Sequence, residues 1–399
     1  MEFDFTSIMD RRGMDSIAVE QIPIPGAQVR EGFDRIPMWV ADMNFPTAPS
    51  VIQAISARAA HPAFGYFDLS DAYYDAILSW QKTRNGAAVI REAIGYENGV
   101  LGGAASALGV LAAPGDKILV HAPTYIGFTF TLKGSGYQIV HSDLKRDAQG
   151  VWRMDYADMD RKIKEHGIHT AIFCSPHNPT GRVWEKWEIE KAMEVYRAND
   201  CFVISDEIWS DLLLDGSRHT PTQSVSQDAK MRTVALYAPS KTFNLAGLVG
   251  SYHIIYNDYL RERIRRQSAL CAYNHCNVLS MHALIGAYSA QGAQWVDALC
   301  GVLSKNAKDA YDFITENFDG VSLARPQGTY MLYLNCKDWC QKNGRTMDEL
   351  LRAGVSVGVI WQDGRPFGDP WSIRVNLALP HSRVMQAMHR LQQYVFCAQ

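Results

Sequence analysis

Two short apolar runs, Phe202–Ser205 and Thr233–Tyr237, show none of the alternation expected of a half-exposed strand. Strands that are apolar on both sides belong to a sheet covered on both faces, the habit of parallel sheets between helix layers. Both runs end on chemistry that a buried strand does not need. The first stops on Asp206, and the second delivers Ser240 and Lys241 into a turn before Phe243-Asn244. Ligands in α/β proteins collect at the carboxyl ends of such strands. A carboxylate and an amine arriving there together match a cationic ring that carries a carbonyl carbon: the amine condenses with the carbonyl, and the acid keeps a ring nitrogen protonated. Taken singly, each has an ordinary explanation, Lys241 as a solvated surface amine and Asp206 as a cap or turn residue.

The surrounding chain repeats the strand–helix theme. YQIVHSDL leads to a helix over Met154–His166, then TAIFCSP, the turn HNPTG, a helix over Lys186–Ala198 and CFVIS. This order predicts an α/β fold with a mainly parallel sheet. At 399 residues there is room for a second, smaller unit. Residues 1–49 read as an arm that packs on its own chain or on a partner, because Trp39, Val40 and Met43 are too apolar for a free tail. A large domain is expected over 50–288, opening with a helix capped by Ser50 and a second helix carrying Tyr73, Ile77 and Trp80 on one face. A long helical region runs over Asp258–Lys308, broken around Ala272–Asn277. A smaller α+β domain is expected over 289–399, where PQGTYMLYLNC and SIRVNLALP read as strands between helices Met347–Ala353 and Ser382–Phe396.

Composition excludes several classes. A formal net charge of −3 gives no electrostatic footprint for nucleic acid or an anionic membrane. No apolar run approaches the ~18 residues of a membrane span, and the acidic, mixed MEFDFTSIMDRRG is no secretory signal. The eight cysteines lack the spacing of a disulfide framework or zinc site; neither Cys336/Cys340 nor Cys271/Cys276 has a matching second pair. Reduced thiols in the cytoplasm, and no metal, are expected.

Five further features bear on chemistry. Gly99-Val100-Leu101 opens into a helix over Ala104–Ala112, and a glycine loop at a helix N-terminus can seat a phosphate on free N–H groups, although most such loops bind none. Tyr125 follows the strand at 117–120 and could stack on a flat ring. Asn178 sits at the apex of Ser175-Pro-His-Asn-Pro-Thr-Gly181, either facing a ligand or serving the turn alone. Arg374 lies inside an apolar strand and demands an anion, either a substrate carboxylate or a structural carboxylate. Tyr66, in the loop after the first helix, is by itself any core or surface aromatic.

In this order and at these intervals the set resembles the fold-type I enzymes that use pyridoxal 5′-phosphate (PLP), the aspartate aminotransferase superfamily. MWVADMNFP, FGY at 64–66, SPHNPTGRVW, SDEIWSDL, APSKTFNLAGL and PQGTYMLYL are similar to the carbon–sulfur β-lyases of its MalY/PatB (cystathionine β-lyase) branch. The resemblance spans essentially the whole chain. It implies that Lys241 binds the cofactor covalently and moves the substrate Cα proton, while Asp206 pairs with the pyridine nitrogen. It further implies that Asn178 donates to the ring oxygen, Tyr125 stacks on the ring, and Val100, Leu101 and Ser240 hold the phosphate. Arg374 would grip the carboxylate of an amino-acid substrate, and Tyr66 would reach in from the neighbouring subunit of a homodimer. The implied reaction is β-elimination from cystathionine or another S-substituted cysteine; transamination and a regulatory, protein-binding role are the alternatives. Three positions depart from the superfamily: Val249 replaces a phosphate-binding Arg, Ala238 replaces a Ser, and Trp209 replaces a Tyr.

Overall fold

A computed structural model describes residues 3–270 and 274–397. Its centre is a seven-stranded sheet in the order Ile94–Glu97, Ser251–Ile254, Thr233–Tyr237, Phe202–Asp206, Thr170–Cys174, Lys117–Ala122 and Gln138–Asp143. Neighbours pair in parallel except Ser251–Ile254, which is antiparallel to both of its partners. The unalternating apolar runs have the cause expected of them. Ile172, Ile204, Val234 and Leu236 face a core shared with helices Val100–Leu111 and Asp258–Leu270. Ala171, Phe173 and Val203 face the opposite core, against helices Tyr156–His166 and Lys186–Ala198. Each central strand is therefore roofed on both faces.

A second sheet has the order Ile36–Met38, Val359–Asp363, Ser372–Asn376, Met331–Asn335 and Ser322–Leu323. Its first strand comes from the segment read as an arm: Ile36–Met38 pairs in parallel with Val359–Trp361, while the remaining pairs are antiparallel. The 28-residue helix Ala290–Asn317 buries Trp295, Leu299, Leu303, Ala307, Ala310 and Ile314 along one stripe. It packs against Val384, Ala387 and Met388 of helix His381–Tyr394.

Several boundaries move. The first long helix begins at Pro49 after Ala48, because proline at the first helical position needs no hydrogen-bonding N–H; Ser50 is therefore inside the helix and is not its cap. The glycine helix starts at Val100, four residues earlier than expected, with Gly99 at φ +82° turning the chain into it. The break expected at Ala272–Asn277 lies partly outside the described residues; Asn277 caps the next helix by accepting from Leu279 and Ser280 N–H.

Candidate active site

Four adjacent parallel strands, and Ile94–Glu97 beyond the antiparallel Ser251–Ile254, each carry one side chain or turn to the same end of the large sheet. Glu97 leads to Gly99 and the glycine helix; Ala122 leads to Tyr125; Cys174 leads to Asn178; Asp206 ends its strand; Tyr237 leads to Ser240-Lys241. Val100, Leu101, Tyr125, Asn178, Asp206, Ser240 and Lys241 all line one cavity of about 210 Å³, joined by Ala41, Asn98, Ile208, Trp209 and Val249. The second group had no sequence signal of its own, apart from Trp209 and Val249, which stood out as departures.

Each side chain is set by local structure. Tyr125 precedes helix Ile126–Gly134, and its ring lies where a Cβ on residue 127 would come within 2.4 Å of it, so glycine at 127 is what admits it. The ring packs edge-on against Phe128 at 5.4 Å. Asn178 accepts through Oδ1 from Arg374 Nη1 at 3.1 Å, which leaves its amide nitrogen for the cavity. At the start of helix Val100–Leu111 the first-turn N–H groups have no intrahelical acceptor. Asp206 accepts from Ile208 N–H through Oδ1 at 3.1 Å. Trp209 lines the cavity wall and packs edge-on against Tyr330 at 4.8 Å.

Burial dominates the electrostatics. It pushes the Asp206 carboxyl up to about 7, against the opposing pull of the Ile208 N–H and the Lys241 amine. It holds the Lys241 amine down to about 8, assisted by Arg374 and opposed by Asp206 and Asp42. The Lys241 residue keeps some exposure through the cavity mouth, but its amine lies deep enough for desolvation to lead. Arg374 is 3% exposed and pushed down to about 10 by burial. Its guanidinium donates to Asn178 Oδ1 and to the Trp39 carbonyl at 2.9 Å, lies over the Phe367 ring, and leaves Nε without a partner. Among the described residues it has no carboxylate partner. No structural ion pair therefore accounts for this arginine among the described residues.

Tyr66 is not brought to this cavity. It lies fully exposed in a loop over 61–69 together with exposed Phe64 and Phe67. A larger groove of about 870 Å³ opens beside the 8–37 segment, but its charges are largely engaged with one another or with backbone, as in Arg383–Asp34 and Arg12–Asp10. Convergent chemistry, more than volume, marks the smaller cavity. Among the described residues there is no group of three or more potential metal ligands and no helix long and apolar enough to cross a membrane.

A mostly parallel sheet that delivers a lysine, an aspartate and a helix N-terminus to one cavity defines a class. The chain belongs to the aminotransferase class I and II family, whose model matches residues 36–391. Within that class it is 32% identical to cystathionine beta-lyase PatB of Bacillus subtilis over 84% of this chain and 85% of that protein. It is 27% identical to protein MalY of Escherichia coli over 96% of both chains. Among solved structures it is similar to the PLP-bound C-S lyase of Staphylococcus hominis, with a TM-score of 0.88, 28% identity and 98% of each chain covered.

Proposed function

We propose that the chain is a PLP-dependent carbon–sulfur β-lyase that splits L-cystathionine or a related S-substituted L-cysteine into a thiol, pyruvate and ammonia. The observation that carries this reading is the convergence of Lys241 and Asp206 on one cavity that also holds a helix N-terminus and an aromatic ring. The residues fit the cofactor on their own chemistry. Burial makes the Asp206 carboxylate costly without a cation beside it, and the free N–H groups of Val100 and Leu101 call for an anion. With Val249 uncharged where relatives of the superfamily carry arginine, the phosphate would depend on that helix turn and Ser240.

When bound, PLP supplies an electron sink for the charge left at the substrate's Cα. The protein groups do the rest. Arg374, already aligned by Asn178 and Trp39, would exchange part of that contact for a bidentate grip on the substrate carboxylate and so fix the Cα–H bond relative to Lys241. Lys241, with its amine held down to about 8 by burial, would take the Cα proton. Tyr125 would cover one ring face, Asp206 would keep the ring nitrogen protonated, and the Asn178 amide would donate to the ring oxygen. Tyr66 would complete the site of a neighbouring subunit in a homodimer. The division into an arm (1–49), a large domain (50–288) and a small domain (289–399), and a cytoplasmic setting, belong to the same proposal.

Incubation with L-cystathionine and no keto acid should release pyruvate and free thiol. Turnover that appears only on adding 2-oxoglutarate, with glutamate as product, would move the assignment to an aminotransferase. The purified protein should be yellow, and Lys241→Ala should lose that colour; a colourless wild type reconstituted with PLP would remove the cofactor assignment.

A further inference from the structure

Lys241 is held from a side that the cofactor contacts do not account for. Its Nζ donates to the carbonyl of Ala41, at 3.3 Å and 200 residues away in sequence. That carbonyl belongs to a short bent segment, Trp39–Asn44, folded at Ala41 by a hydrogen bond from Asp42 N to Val40 O at 2.9 Å, which crosses between the lysine turn and the strand carrying Arg374. On one side Asn244, three residues after the lysine, grips the backbone of Met43 with both ends of its amide: Oδ1 accepts from Met43 N at 3.0 Å and Nδ2 donates to Met43 O at 2.9 Å. The grip is reinforced by Thr47, whose hydroxyl donates to Phe243 O at 2.6 Å. On the other side Asn376 donates from Nδ2 to both Val40 O and Asp42 O at 2.8 Å, while its Oδ1 accepts from Ala378 N at 2.7 Å. Arg374 holds Trp39 O, and Arg11 holds Met43 O and the Asp42 carboxylate. Ala41 itself lines the cavity.

We propose that the Trp39–Asn44 segment is a strap whose Ala41 carbonyl docks and orients the Lys241 amine, and that Asn244 and Asn376 are positioning residues for the reaction. An amine offers its lone pair in one direction only once its N–H bonds are fixed. A carbonyl clamped through both of its flanking residues is a fixed acceptor that does this without reorganising. Asn244 shows that the arrangement constrains local backbone: it sits at φ +56°, a region asparagine tolerates better than most side chains. The strap also joins the two ends of the substrate's reach, because Arg374, one of its anchors, is the group expected to receive the carboxylate. The charged groups that face the amine are Asp206 from the large sheet, Arg374 from the small sheet and Asp42 from the strap.

This inference rests on the reading of Lys241 as the reacting amine, and its test separates the two. In the full-length, cofactor-free chain, Lys241 is labelled with an amine-selective acetylating reagent across a pH series and followed by peptide mass mapping. A carbonyl acceptor favours the protonated amine, so weakening the dock lowers the pH at which the lysine becomes reactive. Asn244→Gly preserves the left-handed backbone but removes the grip, and the labelling midpoint should fall by roughly half to one pH unit. Asn244→Asp keeps the acceptor half of the grip and should lie between the two, and Asn376→Ala should move in the same direction as Asn244→Gly. In the holoenzyme, Asn244→Gly should lower kcat about tenfold or more with KM within about threefold, and move the acid limb of the kcat profile to lower pH. An unchanged midpoint, or a loss of activity matched by loss of bound cofactor colour and melting temperature, overturns the strap. Should wild-type enzyme turn over no S-substituted cysteine, the lyase reading falls while the labelling result still decides the strap.

Discussion

Burial acts on Asp206 and Lys241 in opposite senses, and the cofactor-free chain should carry the consequence. The Asp206 carboxyl titrates at about 7 in the fold and near 3.9 in an unfolded chain. The folded state therefore binds the extra proton between those values. Its stabilising contribution is full below pH 4 and is lost as pH rises through 7, a change on the order of 4 kcal/mol. Lys241, depressed to about 8, adds the reverse trend, with stability regained from pH 8 towards 10.5. Melting curves of the cofactor-free protein should show a fall from pH 4 to 7 that Asp206→Asn removes; a fall of equal size in the variant would place its origin elsewhere. Arg374→Lys should raise KM for the amino acid and cut kcat/KM by roughly ten- to hundredfold, the worth of one or two charge-assisted bonds. Steady-state kinetics at fixed, saturating cofactor would measure it. At this scale the sequence was legible where residue type and strand end coincided, as at Asp206, Lys241 and Asn178. Ala41, Asn244 and Asn376 stand inside readable stretches but carry no sign of a role there, because their partners lie hundreds of residues away and no local pattern encodes a carbonyl's neighbours.

The elements were legible where burial is symmetrical and less so where a side chain reports only one face. Unalternating apolar strands and the amphipathic helix Lys186–Ala198 stand where their patterns placed them. The glycine helix was mislocated because four glycine-rich residues have poor helical propensity, which packing against Leu236 overrides: a Cβ on Gly103 would lie 2.8 Å from that side chain. Close approach sets another contact. Helix Val278–Ala287 packs on helix Pro49–Ala59, where a Cβ on Gly286 would stand 2.5 Å from Ser50 O. Gly286→Ala should force the helices apart and cost about 1–3 kcal/mol, readable as a lower urea midpoint with the m-value retained. Val249, a β-branched residue at φ +47°, is strained in the same sense as no other valine among the described residues. Val249→Gly should raise stability by about 1 kcal/mol, the left-handed cost less glycine's own entropy; a lower melting temperature would refute the strain argument.

For the whole molecule, the exposed aromatics of the 61–69 loop set the test of assembly. If Tyr66 acts across a subunit boundary, Tyr66→Phe and Lys241→Ala homodimers are each impaired, yet mixing them under exchange conditions should restore turnover. In the hybrid one site carries both changes and the other carries neither. Mixtures no more active than their parents would return Tyr66 to its own surface. The homodimer was inferred from resemblance alone, since a single chain's sequence does not record which aromatic is covered by a copy of itself.

The pairing of Ile36–Met38 with Val359–Trp361 has a further consequence for how the protein comes into being. A ribosome emits the first strand of that sheet more than three hundred residues before its partner, and the arginine and asparagine that anchor the residues flanking Ala41 emerge later still. The large sheet can condense while translation continues, whereas the cradle for the lysine amine cannot close until that late strand arrives. Nascent chains halted short of residue 359 should thus keep the 36–44 region open to protease, and amino-acid chemistry begins only after the two distant segments meet.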